Sequence, residues 1–184
     1  NYNTIVTEDT IPLPKTESGK QLLKTEQILR SNNHFQTTLL RFGGLIGPNR
    51  HPITFLAGKK NLKNPKAPIN LIHLDDCINI ISRIIEENKW NQLFNAVAPF
   101  HPTREKYYTE VAKSKGLQSP EFNQHFSSNG KTVSSQKTQD VLKYQYLNNS
   151  LETDIEINNM NRNKVVLVDE NDCVLGEMDE NGSS

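Results

Sequence analysis

Three short stretches carry residue types that could do chemistry. In "PLPKTESGKQLLKTEQILR", from Pro12 to Arg30, the triplet Ser18-Gly19-Lys20 invites a phosphate-loop reading. Such a loop needs a glycine five residues before its Gly-Lys pair and a Ser or Thr after it, to bend the backbone and hold a metal. Pro14 and Gln21 stand at those positions, so the stretch is not a phosphate cradle. In "GPNRHP", Arg50 is either a guanidinium clamp for a phosphate or carboxylate or an ordinary exposed loop arginine. In "IHLDD", His73 and Asp76 fall where a strand should meet a helix, the end at which α/β proteins bind ligands. The competing reading makes Asp75 or Asp76 the helix cap and His73 a half-buried strand residue. His51, His73 and His101 are never paired at helical spacing and have no cysteine nearby, so no metal site is expected.

The elements that must position these groups follow from the pattern. Residues 1–15 are polar, with two prolines, and read as an irregular loop. Thr16 and Ser18 are candidate caps of a helix reaching about Ser31, with Leu22 and Leu29 on one face. Thr37 to Phe42 reads as a buried strand running into a tight glycine loop, and residues 52–62 as a short helix and turn. A strand at 69–74 leads into an apolar helix carrying Ile78, Ile81 and Ile85, with Cys77 as a small core residue. "QLFNAVAP" is a further strand, and Thr103 caps a helix that Gly116 ends. Val141, Leu142 and Tyr144 suggest a short docked helix in an otherwise polar stretch. Strands alternating with helices imply an α/β architecture with parallel pairing.

Residues 1 to about 147 resemble the C-terminal half of an extended, atypical short-chain dehydrogenase/reductase of the NAD-dependent epimerase/dehydratase type. The resemblance is carried by "VTEDTIPLPKTESGKQLLKTEQIL", "TTLLRFGGLIGPNRHP", "NLIHLDDCINII" and "FNAVAPFHPTREKYYTEVAKSKG". It implies a partial Rossmann-like parallel sheet with helices, NAD or NADP as cofactor, and a small-molecule substrate. It places Arg50 and His51 in a substrate-facing loop; His73 and Asp76 join them as substrate-side candidates from their place at a strand's C-terminal end. Two departures stand out. The family's glycine-rich dinucleotide loop has no counterpart here. The nearest glycines, Gly43, Gly44 and Gly47, follow a strand but open no helix. Gly43 and Gly44 are the cofactor-side candidates. The family's Tyr-x-x-x-Lys pair falls on Ser18 and Leu22. A serine hydroxyl is far less acidic than a phenol, and leucine offers no charge to help it. Ser18 is then a helix-start residue or a hydrogen-bond donor to a substrate carbonyl, and hydride transfer by this chain is expected to be impaired.

The tail is read separately. Residues 151–163 form a linker, and "KVVLVDENDCVLGEMDE" predicts a β-hairpin fragment over 164–184, turning at Asp169–Asp172. From Met160 onward the tail resembles the beginning of a type I isopentenyl-diphosphate isomerase. That family's metal-binding histidines and catalytic residues have no match here, and Cys173 sits in the hairpin instead. Residues 1–150 would be the partial reductase-like domain. Asn1 in place of Met suggests a preceding segment, so a missing N-terminal half or self-association is the partner expectation.

Composition narrows the classes further. With 21 basic and 21 acidic residues the chain has no net charge, which gives no basic footprint for nucleic acid. No stretch approaches the ~20 apolar residues of a membrane helix, and no secretion signal opens the chain. Mean hydropathy is −0.66, and the two cysteines are far apart, the usage expected of a reduced cytoplasmic protein.

Overall fold

The computed structural model describes residues 4–125 and 130–147, together with the backbone of two strands further on. Residues 1–152 form one compact unit and 153–184 a second. In the first unit, β1 (Thr4–Val6) leads to α1 (Glu17–Arg30), followed by β2 (Leu39–Phe42) and β3 (Gly44–Ile46). Then come α2 (Ile53–Leu56), β4 (Leu71–His73), α3 (Leu74–Glu86), β5 (Leu93–Ala96) and α4 (Arg104–Ser114). β6 (Lys131–Val133) and α5 (Gln136–Leu142) complete it.

All three strand pairs of this unit are parallel: β1 with β6, β2 with β5 and β3 with β4. The α/β expectation with parallel pairing therefore holds. β2 and β5 run side by side until Gly43, whose N–H donates to the Ala96 carbonyl at 2.9 Å. There the two strands fork. The Gly44 N–H donates instead to Asn70 O at 2.8 Å, and Ala98 N reaches Leu71 O at 2.9 Å, so β4 wedges into the gap. The "glycine loop" of the sequence reading is thus a strand continuing through a change of neighbour.

The fork explains why both residues are glycine. A Cβ at Gly43 would stand 2.8 Å from the Asn70 carbonyl oxygen, and one at Gly44 would stand 2.7 Å from Leu71 Cδ2. A backbone carbonyl cannot move without breaking the ladder that holds it. Gly43→Ala is therefore expected to cost roughly 1–3 kcal/mol, as overpacking does, seen as a lower urea midpoint. An unchanged midpoint would contradict the wedge.

Local chemistry sets the helix boundaries. Thr16, not Ser18, caps α1: its Oγ1 accepts from Gly19 N at 3.2 Å, with Glu17 in the first turn and Arg30 in the last, as the helix dipole favours. Ser18 lies inside the helix and is exposed. Leu22 is also exposed, and no residue of α1 is fully buried, so the proposed Leu22/Leu29 face is not a core face. α4 begins at the Thr103 cap, and Gly116 takes a positive φ of 63° just beyond its end, both as expected.

The start of α3 corrects the sequence reading. The cap is His73, whose Nδ1 accepts from Asp75 N at 3.2 Å; Asp75 and Asp76 lie in the first turn. The buried face of α3 is Asp76, Cys77, Ile80 and Ile84, not the isoleucines singled out from the sequence. Leu74, Ile78, Ile81 and Ile85 form a second apolar stripe that stays 41–56% exposed. The core gathers Ile46, Ile53, Ile72, Ile80, Phe94, Tyr107 and Leu142.

The polar N-terminal stretch and the residues before α5 contain a parallel ribbon, β1–β6, which the sequence reading took as irregular. Two asparagine amides fasten it. Asn70 Nδ2 donates to Lys131 O and its Oδ1 accepts from Val133 N, both at 2.8 Å. Asn95 Nδ2 reaches Ser134 O at 3.3 Å, while the Glu8 carboxylate accepts from Asn95 N at 2.7 Å. In the second unit, β7 (Lys164–Val168) and β8 (Val174–Asp179) pair antiparallel, as the hairpin reading expects. The linker, the Asp169–Asp172 turn, Met160 and Cys173 lie outside the described residues.

Candidate functional site

Two clefts meet at Phe42, at the C-terminal end of β2. One, of about 480 Å³, runs between the Gly47–Arg50 loop and α3 and is lined by Leu45, Leu74, Ile78, Ile81 and Arg50. The other, of about 620 Å³, lies under α1 and is lined by Leu22, Leu23, Glu26, Arg41 and Asn95. Carboxyl ends of parallel strands are where open α/β sheets bind ligands.

The loop that carries Arg50 is closed by its own backbone. Gly47 N donates to Arg50 O at 2.9 Å and Arg50 N to Gly47 O at 3.0 Å. Arg50 is exposed at the rim of an otherwise apolar cleft, and no hydrogen bond or ion pair engages its guanidinium among the described residues. His51 turns inward. It is 6% exposed, accepts at Nδ1 from Ile53 N at 3.1 Å, and meets the Tyr107 hydroxyl through Nε2 at 2.9 Å.

His73 and Asp76 are also occupied internally. His73 is buried and holds the start of α3, with Asp75 Oδ2 at 3.3 Å from its Nδ1. Asp76 is fully buried, and its Oδ1 accepts from the Tyr144 hydroxyl at 2.7 Å and Leu147 N at 2.8 Å. Burial and the Asp76 hydrogen bond drive the Tyr144 pKa well above the ordinary tyrosine value. Of the four residues assigned to substrate, Arg50 alone faces solvent; it lines the cleft with Leu74 and Cys77, whereas the His51, His73 and Asp76 side chains are buried and do not line it. Burial, then the charge of Asp76, pushes the Cys77 thiol up to about 11, which suits a packed residue and not a nucleophile.

Under α1 the strongest interaction is one the sequence reading did not pair. The Arg41 guanidinium grips Glu26 with both forks: Nε donates to Oε1 at 2.9 Å and the second nitrogen donates to Oε2. The hydrogen bond to Glu26 raises the Arg41 pKa further. This bidentate pair ties the helix that carries Ser18 to the strand that ends at Phe42. An arginine at a strand end fifteen residues after a mid-helix glutamate was the available signal.

The residues present do not form a pyrophosphate cradle. Such a cradle needs open glycine backbone leading into a helix N-terminus. Here the space beside Gly43 and Gly44 is filled by Asn70 and Leu71. The first turns of α1 and α3 carry Glu17, Asp75 and Asp76, whose charge opposes a phosphate. Among the described residues no helix is long and apolar enough to cross a membrane, and no three His, Cys, Asp or Glu side chains converge as a metal site would require.

No protein-family model matches the chain. Protein YeeZ of Escherichia coli strain K12 is 34% identical over 142 residues, covering 77% of this chain and 52% of that protein. The chain thus spans about half the length of the curated relative it matches. Among solved structures, a putative NAD-dependent epimerase/dehydratase from Methylobacillus flagellatus aligns at a TM-score of 0.69 and 23% identity, over 82% of this chain and 55% of that one. The human epimerase family protein SDR39U1 (isoform 2), solved with NADPH, aligns at 0.66 and 18% identity, over 84% and 59%. These comparisons give no support to the isomerase resemblance of the tail. This chain has the Rossmann-like α/β fold of the NAD-dependent epimerase/dehydratase proteins, matched over part of their length.

Proposed function

We propose that this chain is the substrate-facing part of an NAD(P)-dependent, epimerase/dehydratase-like oxidoreductase, with the dinucleotide held by a complementary α/β half. The observation that carries the reading is the bare apolar face of α3, continuous with the cleft at Phe42 and Leu45. Four half-exposed Leu and Ile side chains in register are what an absent layer of the same fold would cover. The matched proteins, of which this chain spans 52% to 59%, have length left over to supply that layer. Within the completed protein, Arg50 would orient an anionic group of the substrate at the rim of the cleft. Ser18 and Leu22 lack the acidity and the charge of a Tyr/Lys pair, so proton transfer from α1 is slow and turnover is impaired.

A non-catalytic binding domain is the second reading, favoured by the same exposed Ser18 and Leu22. The test is co-expression of the full chain with the portion of YeeZ that lies outside the matched 142 residues. The proposal expects the two to co-purify as a one-to-one complex. Separate elution, with this chain as a stable monomer, would overturn it.

A further inference from the structure

We infer that Tyr107 is a positioning residue for Arg50, acting through His51 on the loop that presents the guanidinium to an anionic group. The inference rests on the reading of Arg50 as substrate-facing.

The geometry is a chain of fixed contacts from the core to the rim. Ile53 N–H donates to His51 Nδ1 at 3.1 Å, so the neutral ring carries its proton on Nε2. Nε2 then donates to the Tyr107 hydroxyl at 2.9 Å. The His51 carbonyl accepts from both Thr54 N at 3.1 Å and Thr54 Oγ1 at 2.8 Å. Residues 47–54 are therefore a knot of short-range hydrogen bonds. The His51–Tyr107 bond joins that knot to α4, a helix capped by Thr103 and packed in the core, where Tyr107 is 3% exposed.

Arg50 is the residue between the Gly47 ladder and this anchor. Its side chain is long, and ordering it on a ligand costs conformational entropy. A backbone already held on both sides lowers the part of that cost that comes from the main chain. Tyr108 provides a built-in comparison. It is the next residue on the same helix, is also buried, and touches the Tyr107 ring edge-on at 5.2 Å. Among the described residues no hydrogen bond reaches its hydroxyl.

The experiment is a titration of the full chain with inorganic pyrophosphate, followed by isothermal titration calorimetry, with Arg50→Ala, Tyr107→Phe and Tyr108→Phe run in parallel and NMR of the His51 ring nitrogens in the unaltered chain. Arg50→Ala should abolish saturable binding, and Tyr107→Phe should weaken it roughly fivefold, as loss of one net hydrogen bond does. Tyr108→Phe should stay within about twofold. The ring nitrogens of His51 in the unaltered chain should report a proton on Nε2 and an accepting Nδ1. Tight binding by Tyr107→Phe, with Arg50→Ala inactive, would overturn the positioning role and leave Arg50 standing. Unchanged binding by Arg50→Ala would remove the reading of Arg50 and this inference with it. Should Tyr107→Phe fail to fold, a proton found on Nδ1 in the unaltered chain would overturn the inference on its own.

Discussion

Replacing Asp76 by alanine is expected to lower the melting temperature by roughly 10 °C, the larger of two effects that define this fold. Asp76 is fully buried, and one of its oxygens accepts from both the Tyr144 hydroxyl and the Leu147 amide. Alanine leaves the Tyr144 hydroxyl, inside the core, and the part-buried Leu147 amide without that acceptor, 68 and 71 residues away in sequence. Unsatisfied buried donors cost about 1–3 kcal/mol each, and a lost buried charge partner sits at the upper end. Asp76→Asn keeps an acceptor oxygen and should lose far less. If Asp76 bound substrate instead, Asp76→Asn would keep its melting temperature and lose ligand. A melting temperature within about 2 °C of the parent for Asp76→Ala would refute the structural role.

The same segment sets an alkaline limit. Burial pushes the Tyr146 phenol up to about 12 from its ordinary 10.0. A pKa raised on folding means the folded protein holds that proton more tightly. Its contribution is complete below pH 10 and is lost as the pH rises toward 12.

Charging the α3 stripe is expected to abolish docking of a complementary half without unfolding the chain. Ile78 and Ile81 are 52% and 41% exposed, so Ile78→Glu with Ile81→Glu places both carboxylates in water. Exposed substitutions usually stay within about 0.5 kcal/mol of the parent. In a docked interface the same two carboxylates would be desolvated without partners, at several kcal/mol each. The complex with the YeeZ segment should weaken at least ~100-fold, lost on a sizing column, while circular dichroism and melting temperature hold. Undiminished co-purification would show that the stripe is not the docking face.

How much of this was legible in the sequence depends on where each determinant lies. The ends of α4 were readable because Thr103 and Gly116 act within one turn of the boundary they set. β1 and β6 were not. Each has three residues, and Thr4 finds Lys131 only through the folded chain. The cap of α3 was misassigned because aspartate is the better cap on average, whereas here His73 is held where its Nδ1 reaches the Asp75 amide. That frees Asp76 for Tyr144, a partner with no local signal. The buried face of α3 was misread because both faces are rich in isoleucine, and helical periodicity cannot choose between two apolar stripes. Arg50 was legible as a candidate from its loop. That His51 beside it points the other way, to Tyr107, depends on the packing of α4.

Under the proposed function the dinucleotide is held outside this chain. NADH fluorescence tests it most directly, with the full chain titrated alone and then as a complex with the complementary YeeZ segment. The chain alone should leave NADH emission unchanged, because Asn70 and Leu71 fill the space beside Gly43 and Gly44 and, among the described residues, no glycine-rich loop opens a helix. The complex should give a saturable change. Saturable NADH binding by the chain alone would contradict the account.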